Sequence, residues 1–209
     1  MAQALTKLGR VLRNVSAVLH EVGSPHSYAV VGGLAVSARV EPRFTRDIDL
    51  AMATRDDAEA EALVHRLLGA GYRVVQALEH DAGRMATVRL LPPGGRSGQI
   101  VVDLLFASSG IEPELVRKAD VIEVLPDVFL PVAQVGHLIV LKLLSVAEGR
   151  PNDTIDLAAL AGSADAAAWA LAAESVPLVT ARGFDRGRDL SGDLAALSAR
   201  YRAASAGSA

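Results

Sequence analysis

Cysteine is absent from this chain of 209 residues, which excludes disulfides, thiolate zinc sites and cysteine nucleophiles together. Histidine is scarce: His20, His26, His65, His80 and His137 never reach a metal-ligand spacing, so a structural zinc is not expected. No apolar run approaches the roughly 18 residues of a membrane span. The N-terminus sets Lys7, Arg10 and Arg13 among apolar residues but lacks a signal-peptide core and cleavage site. The expectation is a soluble, cytoplasmic protein with no membrane partner. No Walker A loop, no Gly-x-Gly-x-x-Gly and no Gly-x-Ser-x-Gly occurs, which disfavours P-loop, dinucleotide and α/β-hydrolase chemistry.

What is present suffices for a core, since 51% of the chain is apolar and 22% charged. The length suits one domain, or a compact domain with a helical appendage. The net charge of −3 is unevenly spread: residues 1–46 hold six basic side chains against Glu21 and Glu41. A positive end beside an acidic body can steer a polyanion, though such asymmetry is more often just solvated surface.

Apolar residues at Leu5, Leu8, Leu12, Val15 and Leu19 predict a helix from Leu5 to Val22, stopped by Gly23-Ser24-Pro25. Tyr28 to Val31 reads as a short strand before Gly32-Gly33, and Leu34 to Arg39 as a helix. Phe44–Met52, Tyr72–Leu78, Met85–Leu91 and Gln99–Phe106 are strand candidates, and a helix with an apolar stripe at Ala58, Ala62, Leu63 and Leu67 follows the first. Val121 to Leu130, interrupted at Pro126, suits an edge strand or extended passage. Beyond Pro131 strand signals end, and Gln134–Glu148, Asp153–Ala161, Ala164–Glu174 and Leu190–Ala204 look helical. The expected organisation is a mixed α/β (α+β) section over residues 1–131, then a helical section over 132–209 packed on it.

Chemistry concentrates in residues 30–50. Residues two apart on a strand share a face, so Asp47 and Asp49 aim together while Ile48 and Leu50 enter the apolar layer. Two carboxylates so close repel unless a cation lies between them. A hard divalent ion with oxygen ligands, Mg²⁺ above all, answers that; a polar face partnered by Arg43 or Arg46 is the plainer alternative. Gly32-Gly33 joins a strand to a helix, where open backbone N–H groups bind phosphate, although a generic turn also explains the pair. Asp103 lies in the otherwise apolar Gln99–Phe106. Its carboxylate needs compensation, from a salt bridge to an arginine, a strand-end position, or a metal shared with the other two acids. Glycines and acids on adjacent elements describe a nucleoside triphosphate site.

Val135 to Val146 is apolar nearly all round, and Lys142 lies on its Val135, Ile139, Val146 stripe. Only three lysines occur against eighteen arginines. A buried ammonium needs an anion, whereas a snorkelling one does not. Asp153 and Asp156 sit at a helix start after Pro151-Asn152, where capping explains one of them. Arg150, just upstream, is placed to meet phosphate or to cap the preceding helix.

Val31-Gly32-Gly33, thirteen residues, then Asp47-Ile48-Asp49-Leu50 resembles the signature of the polymerase-β-type nucleotidyltransferase superfamily. Arg43-Phe-Thr-Arg-Asp-Ile-Asp-Leu50, Leu141-Lys142-Leu143-Leu144 and Asn152-Asp153-Thr-Ile-Asp156-Leu157 are similar to the AbiEii-type toxin nucleotidyltransferases, which include mycobacterial toxins that modify transfer RNA. Many superfamily members carry serine at the position of Gly33. The resemblance implies a nucleotidyltransferase fold, a mixed sheet flanked by helices with a helical C-terminal section. It also implies an enzyme that moves a nucleoside monophosphate from a nucleoside triphosphate to an acceptor hydroxyl, releasing pyrophosphate. Asp47, Asp49 and Asp103 would hold Mg²⁺, and Gly32, Gly33 and Lys142 would grip the triphosphate. An acid of the Asp153/Asp156 pair, Asp156 first, would join the active site. Thr45 is expected to orient the acids or to remain a surface group.

For the acceptor, the resemblance implies the 3′ end of transfer RNA and a cognate antitoxin, with Arg182, Arg186, Arg188, Arg200 and Arg202 available to an RNA backbone. Transfer to an antibiotic, to a protein or to the enzyme itself are the other enzymatic readings. A catalytically silent module that only binds a nucleotide or an antitoxin is the non-enzymatic one.

Overall fold

The fold was analysed in a computed structural model, which describes residues 2–22, 27–40, 45–79, 84–96, 100–146 and 151–206. The chain begins with helix α1 (Ala2–Val22), strand β1 (Tyr28–Val31), helix α2 (Gly32–Arg39), strand β2 (Asp47–Met52) and helix α3 (Asp57–Gly69). Strands β3 (Arg73–Glu79), β4 (Met85–Leu91) and β5 (Val101–Leu105) lead to helix α4 (Glu112–Arg117) and strands β6 (Asp120–Leu125) and β7 (Val128–Val132). Helices α5 (Val135–Val146), α6 (Pro151–Ser163), α7 (Ala166–Ala181) and α8 (Leu190–Ala206) complete it.

The strands form one seven-stranded mixed sheet in the order β3-β4-β5-β2-β1-β7-β6. Pairs β1–β7 and β2–β5 are parallel and the others antiparallel. The expected α/β architecture with a mixed sheet and flanking helices is therefore what the chain adopts. Alternation organises the centre: Ile48, Leu50, Val88, Leu90, Val102 and Leu104 are buried in one layer, so their neighbours along each strand emerge on the opposite face. A single apolar core runs from Leu8 on α1 to Leu194 on α8. Helix α2 packs on β2 and α5, and α5 packs on α6 and α7.

Local chemistry explains the ends of several elements. Asp56 caps α3 by accepting from the Glu59 backbone N–H at 2.9 Å, and Asp165 caps α7 through Ala168 N–H at 2.8 Å. Arg39 staples α2 to the sheet, donating to the carbonyls of Ala133 and Val132 and to Asp120.

Three elements differ from expectation. The Val121–Leu130 passage is not one interrupted edge strand. It is a hairpin, with β6 at the edge and β7 inside, pairing with β1. Pro126 falls in the turn, and Asp127 adopts φ 60° there, a conformation that aspartate tolerates. Helix α4 is an unforeseen short element, with Pro113 in its first turn. Helix α7 continues past Glu174 through Pro177 to Ala181. Burial of Val176 and Val179 outweighs the one backbone bond that proline removes. The predicted stop at Gly23–Pro25 lies outside the described residues.

Candidate active site

The site is built on β2 and β5. In their parallel register Asp49 stands directly opposite Asp103, so the two carboxylates share a face by strand geometry alone. Asp47, two residues earlier on β2, projects to that face as well. Exposure falls across the group: Asp47 is exposed, Asp49 half-buried, and Asp103 5% exposed.

Gly32 closes one side. It has φ +61°, and a Cβ there would stand 2.6 Å from Asp49 Cγ. Only glycine accommodates both the left-handed backbone and the adjoining carboxylate. The helix begun at Gly32 is entered from Val31, whose side chain provides no capping bond. The first-turn N–H groups are thus left uncapped by side chains, which is the arrangement that binds anions. Gly33 is buried, and its carbonyl accepts from Ser37 Oγ at 2.9 Å. Thr45 Oγ1 donates to the Asp47 carbonyl at 3.4 Å, so it touches the entry to β2 rather than a carboxylate.

The opposite side is closed by Arg89 on β4, the register partner of Asp103. Its Nε and Nη2 donate to Asp103 Oδ1 and Oδ2 at 2.8 and 2.7 Å, a two-pronged charge-assisted pair. The salt bridge to an arginine, one of the alternatives weighed for Asp103, is therefore present, and so is its apposition to Asp49. Arg89 did not emerge from the sequence as a site residue. The signal that could have found it is a lone charge in the apolar Met85–Leu91, as Asp103 is in its own strand.

The second constellation comes from the helices. Lys142, 7% exposed on α5, forms an ion pair with Asp153 and a second, at 2.8 Å, with Asp156. Both acids are buried on the first two turns of α6. The three-residue spacing sets them on one helix face, so both meet the lysine. Lys142 is also close enough to the acid group to act on it electrostatically. Arg150 lies outside the described residues.

Electrostatics follow from this crowding. Burial, reinforced by the charges of Asp103 and Asp47, pushes the Asp49 carboxyl up to about 7, against the opposing pull of Lys142 and Arg89. A carboxyl held there by burial and by neighbouring anions is one that a cation would ionise. Hydrogen bonding to Asp103 raises the already high pKa of Arg89. The donor set, three carboxylates on one face, suits a hard divalent ion. Among the described residues no three such side chains converge closely enough to hold a metal as they stand.

Four of the five arginines considered for RNA contact have partners within the protein. Arg182 forks onto Glu114 and bonds the Gly110 carbonyl. Arg186 and Arg188 cap the end of α5 through the carbonyls of Leu144 and Leu143, and Arg188 also meets Asp193. Arg200 lies over the Tyr201 ring.

Residues 16–202 match the model of the nucleotidyl transferase AbiEii toxin family, described as a Type IV toxin–antitoxin system. The chain belongs to that family. It is accordingly a nucleotidyltransferase by membership, as the glycine–aspartate signature led one to expect. Among solved structures, the solution structure of the antibiotic-resistance factor ANT(2″)-Ia is similar, with a TM-score of 0.48 and 21% identity over 97% of this chain and 95% of that one. An antigenic nucleotidyltransferase-like protein from Paracoccidioides brasiliensis has a TM-score of 0.49 and 18% identity over 88% of this chain and 91% of that one. ANT(2″)-Ia in complex with adenylyl-2″-tobramycin gives 0.45 and 16% over 94% and 98%. No curated protein sequence matched. No helix among the described residues is long and apolar enough to cross a membrane.

Proposed function

We propose that this protein is a cytoplasmic toxin that moves a nucleoside monophosphate from a nucleoside triphosphate to the 3′ end of transfer RNA, with a cognate antitoxin as its partner. The observation that carries the reading is the direct opposition of Asp49 and Asp103 beside the uncapped Gly32–Gly33 helix start. In this reading residues 1–131 carry the acids and glycines, and the helical section 132–209 contributes Lys142 and its two carboxylates.

Asp47, Asp49 and Asp103 would hold the divalent ion, Mg²⁺ by the preference of hard cations for carboxylate oxygen. Such an ion lowers the pKa of an attacking hydroxyl and draws charge from a leaving pyrophosphate. The backbone N–H groups at Gly32 and Gly33 bind the terminal phosphates. Lys142 adds a third contact: an ammonium has three donors, and Asp153 and Asp156 engage two. Those acids fix the lysine's direction, and Thr45 steadies the strand at Asp47. Arg150 is assigned a further phosphate contact in this reading.

Incubation with Mg²⁺, each labelled nucleoside triphosphate, and total RNA, an aminoglycoside, or no acceptor tests the assignment. Label is expected on transfer RNA. Label on the drug or on the protein would replace the acceptor assignment, and nucleotide binding without label anywhere would leave a silent module. Asp49→Ala is expected to abolish transfer with the fold intact, and retained turnover would overturn the metal assignment. Growth arrest on expression, relieved by that substitution, tests toxicity.

A further inference from the structure

Four strands carry one transverse row of side chains: Gln76 on β3, Arg89 on β4, Asp103 on β5 and Asp49 on β2 are successive register partners. Gly32 and the α2 start lie at the Asp49 end of that row. Arg89 lies on the other side of Asp103, toward the β3–β4 edge of the sheet. Its side chain is 43% exposed although the carboxylate it holds is 7% exposed, so the guanidinium reaches solvent from a buried anchor.

Charge gives this placement its meaning. Asp153 and Asp156 engage Lys142, while Asp47, Asp49 and Asp103 share the strand face. A phosphate chain approaching from the β3–β4 side meets three strand carboxylates, and Arg89 is the cation paired to that set. The fork occupies both oxygens of Asp103, while a divalent ion at Asp103 needs one of them. Each oxygen keeps a further lone pair, but a divalent ion on either would stand beside the guanidinium, and the repulsion of like charges sets the two in competition for the carboxylate; the half-exposed guanidinium is the partner that can turn to solvent.

We propose that Arg89 receives a phosphate of an RNA acceptor: it is tied to Asp103 in the metal-free protein and released toward the acceptor when a divalent ion takes that carboxylate. This rests on the nucleotidyltransferase reading above, and it makes acceptor binding depend on metal binding. The exposed Gln76 beside Arg89 extends the row along the path the acceptor would follow.

The test measures equilibrium binding of total transfer RNA by wild type, Arg89→Gln and Arg89→Lys, each with Mg²⁺ and with EDTA. A non-hydrolysable triphosphate analogue is titrated in parallel. With Mg²⁺, Arg89→Gln should bind RNA about tenfold more weakly, roughly one charged hydrogen bond. Its dependence on salt should be shallower by about 0.7, one single-strand phosphate. In EDTA the two proteins should agree within about twofold, and Arg89→Lys should retain most of the Mg²⁺-dependent affinity because it keeps the charge. Equal losses in both conditions, or no loss with Mg²⁺, would overturn the proposal. Asp103→Asn gives an independent arm, since it frees Arg89 without metal. RNA binding in EDTA should rise, and the rise should vanish in the Asp103→Asn/Arg89→Gln double variant; a rise that persists there refutes the role of Arg89. Failure of wild type to bind the triphosphate analogue would sink the nucleotidyltransferase reading, whereas intact analogue binding with an indifferent Arg89 sinks this proposal alone.

Discussion

Gly32 and Asp49 fit together so closely that Gly32 has no room for a side chain: a methyl group there would stand 2.6 Å from Asp49 Cγ and 2.9 Å from its Cβ. The glycine is thereby a condition for placing the carboxylate. Gly32→Ala adds the strain of φ +61° to that collision, and each such strained residue costs about 1–3 kcal/mol. The expected outcome is a loss of that order in denaturant unfolding, with binding of Mg²⁺ and triphosphate falling further than stability does. Unchanged ligand titrations in a destabilised variant would separate the glycine from the site.

The raised carboxyl of Asp49 has a pH signature. The folded protein keeps a proton at about 7 that the unfolded chain loses near 3.9. Between those values the folded state binds more protons, so stability falls as pH rises through the window. Asp49→Asn removes that dependence and should raise the melting temperature in EDTA at pH 8 while eliminating metal binding. Mg²⁺ binds the ionised form, so affinity should climb with pH up to about 7 and then level, with proton release measurable by calorimetry in buffers of different ionisation heat. A flat affinity profile from pH 5.5 to 8 contradicts the assignment.

His137 works in the opposite direction. Burial holds its imidazole down at about 4, so the unfolded chain binds the extra proton between there and roughly 6.5. Stability from this group grows as pH rises across that range. Asp49→Asn/His137→Gln should therefore unfold with a flatter pH profile than Asp49→Asn, read by thermal melting from pH 4 to 7.

Lys142 neutralises two buried acids at once. Lys142→Met leaves Asp153 and Asp156 without their cation, and removing one member of a buried pair costs about 3–5 kcal/mol. Restoring neutrality with Asp153→Asn and Asp156→Asn in the same chain should recover much of the stability and none of the transfer activity. Recovery of both would show that the lysine is structural only.

The close crossing of α5 and α7 offers a control far from the acids. A Cβ on Gly136 would lie 2.8 Å from Leu171 Cβ and 3.0 Å from the Ala172 nitrogen, so Gly136→Ala must part the helices. A loss of about 1–3 kcal/mol is expected, with triphosphate affinity in the folded fraction unaltered.

Much of this was legible in the sequence wherever the deciding physics is local. Asp-Ile-Asp has a strand's period of two, and Ile48 and Leu50 mark which face is inward. Gly32-Gly33 between a strand and a helix announces an uncapped helix start. Lys142 on an apolar helix left a buried ammonium in need of anions or a snorkelling one, and its burial against Asp153 and Asp156 decides for the first. Long-range register was not legible. That Asp49 should meet Asp103, and Asp103 in turn Arg89, depends on which strands adjoin, and no spacing within one segment encodes it. The Pro126 hairpin was misread for a related reason: an apolar run broken by proline looks like one edge strand until its second half finds β1 as a neighbour. The expected end of α7 at Glu174 errs in the reverse sense, because buried contacts of Val176 and Val179 hold the helix together across Pro177.

Strand β7 pairs with β1 although nearly a hundred residues separate them, and the carboxylates that face Lys142 arrive later still. During synthesis the nascent chain must therefore wait for its final third before the two constellations can meet. A ribosome that stalls or a message cut before Pro151 releases a product carrying all three strand acids and an unpartnered lysine. On the proposed assignment, premature termination is expected to yield an inert fragment, with catalytic competence arriving only near the end of translation.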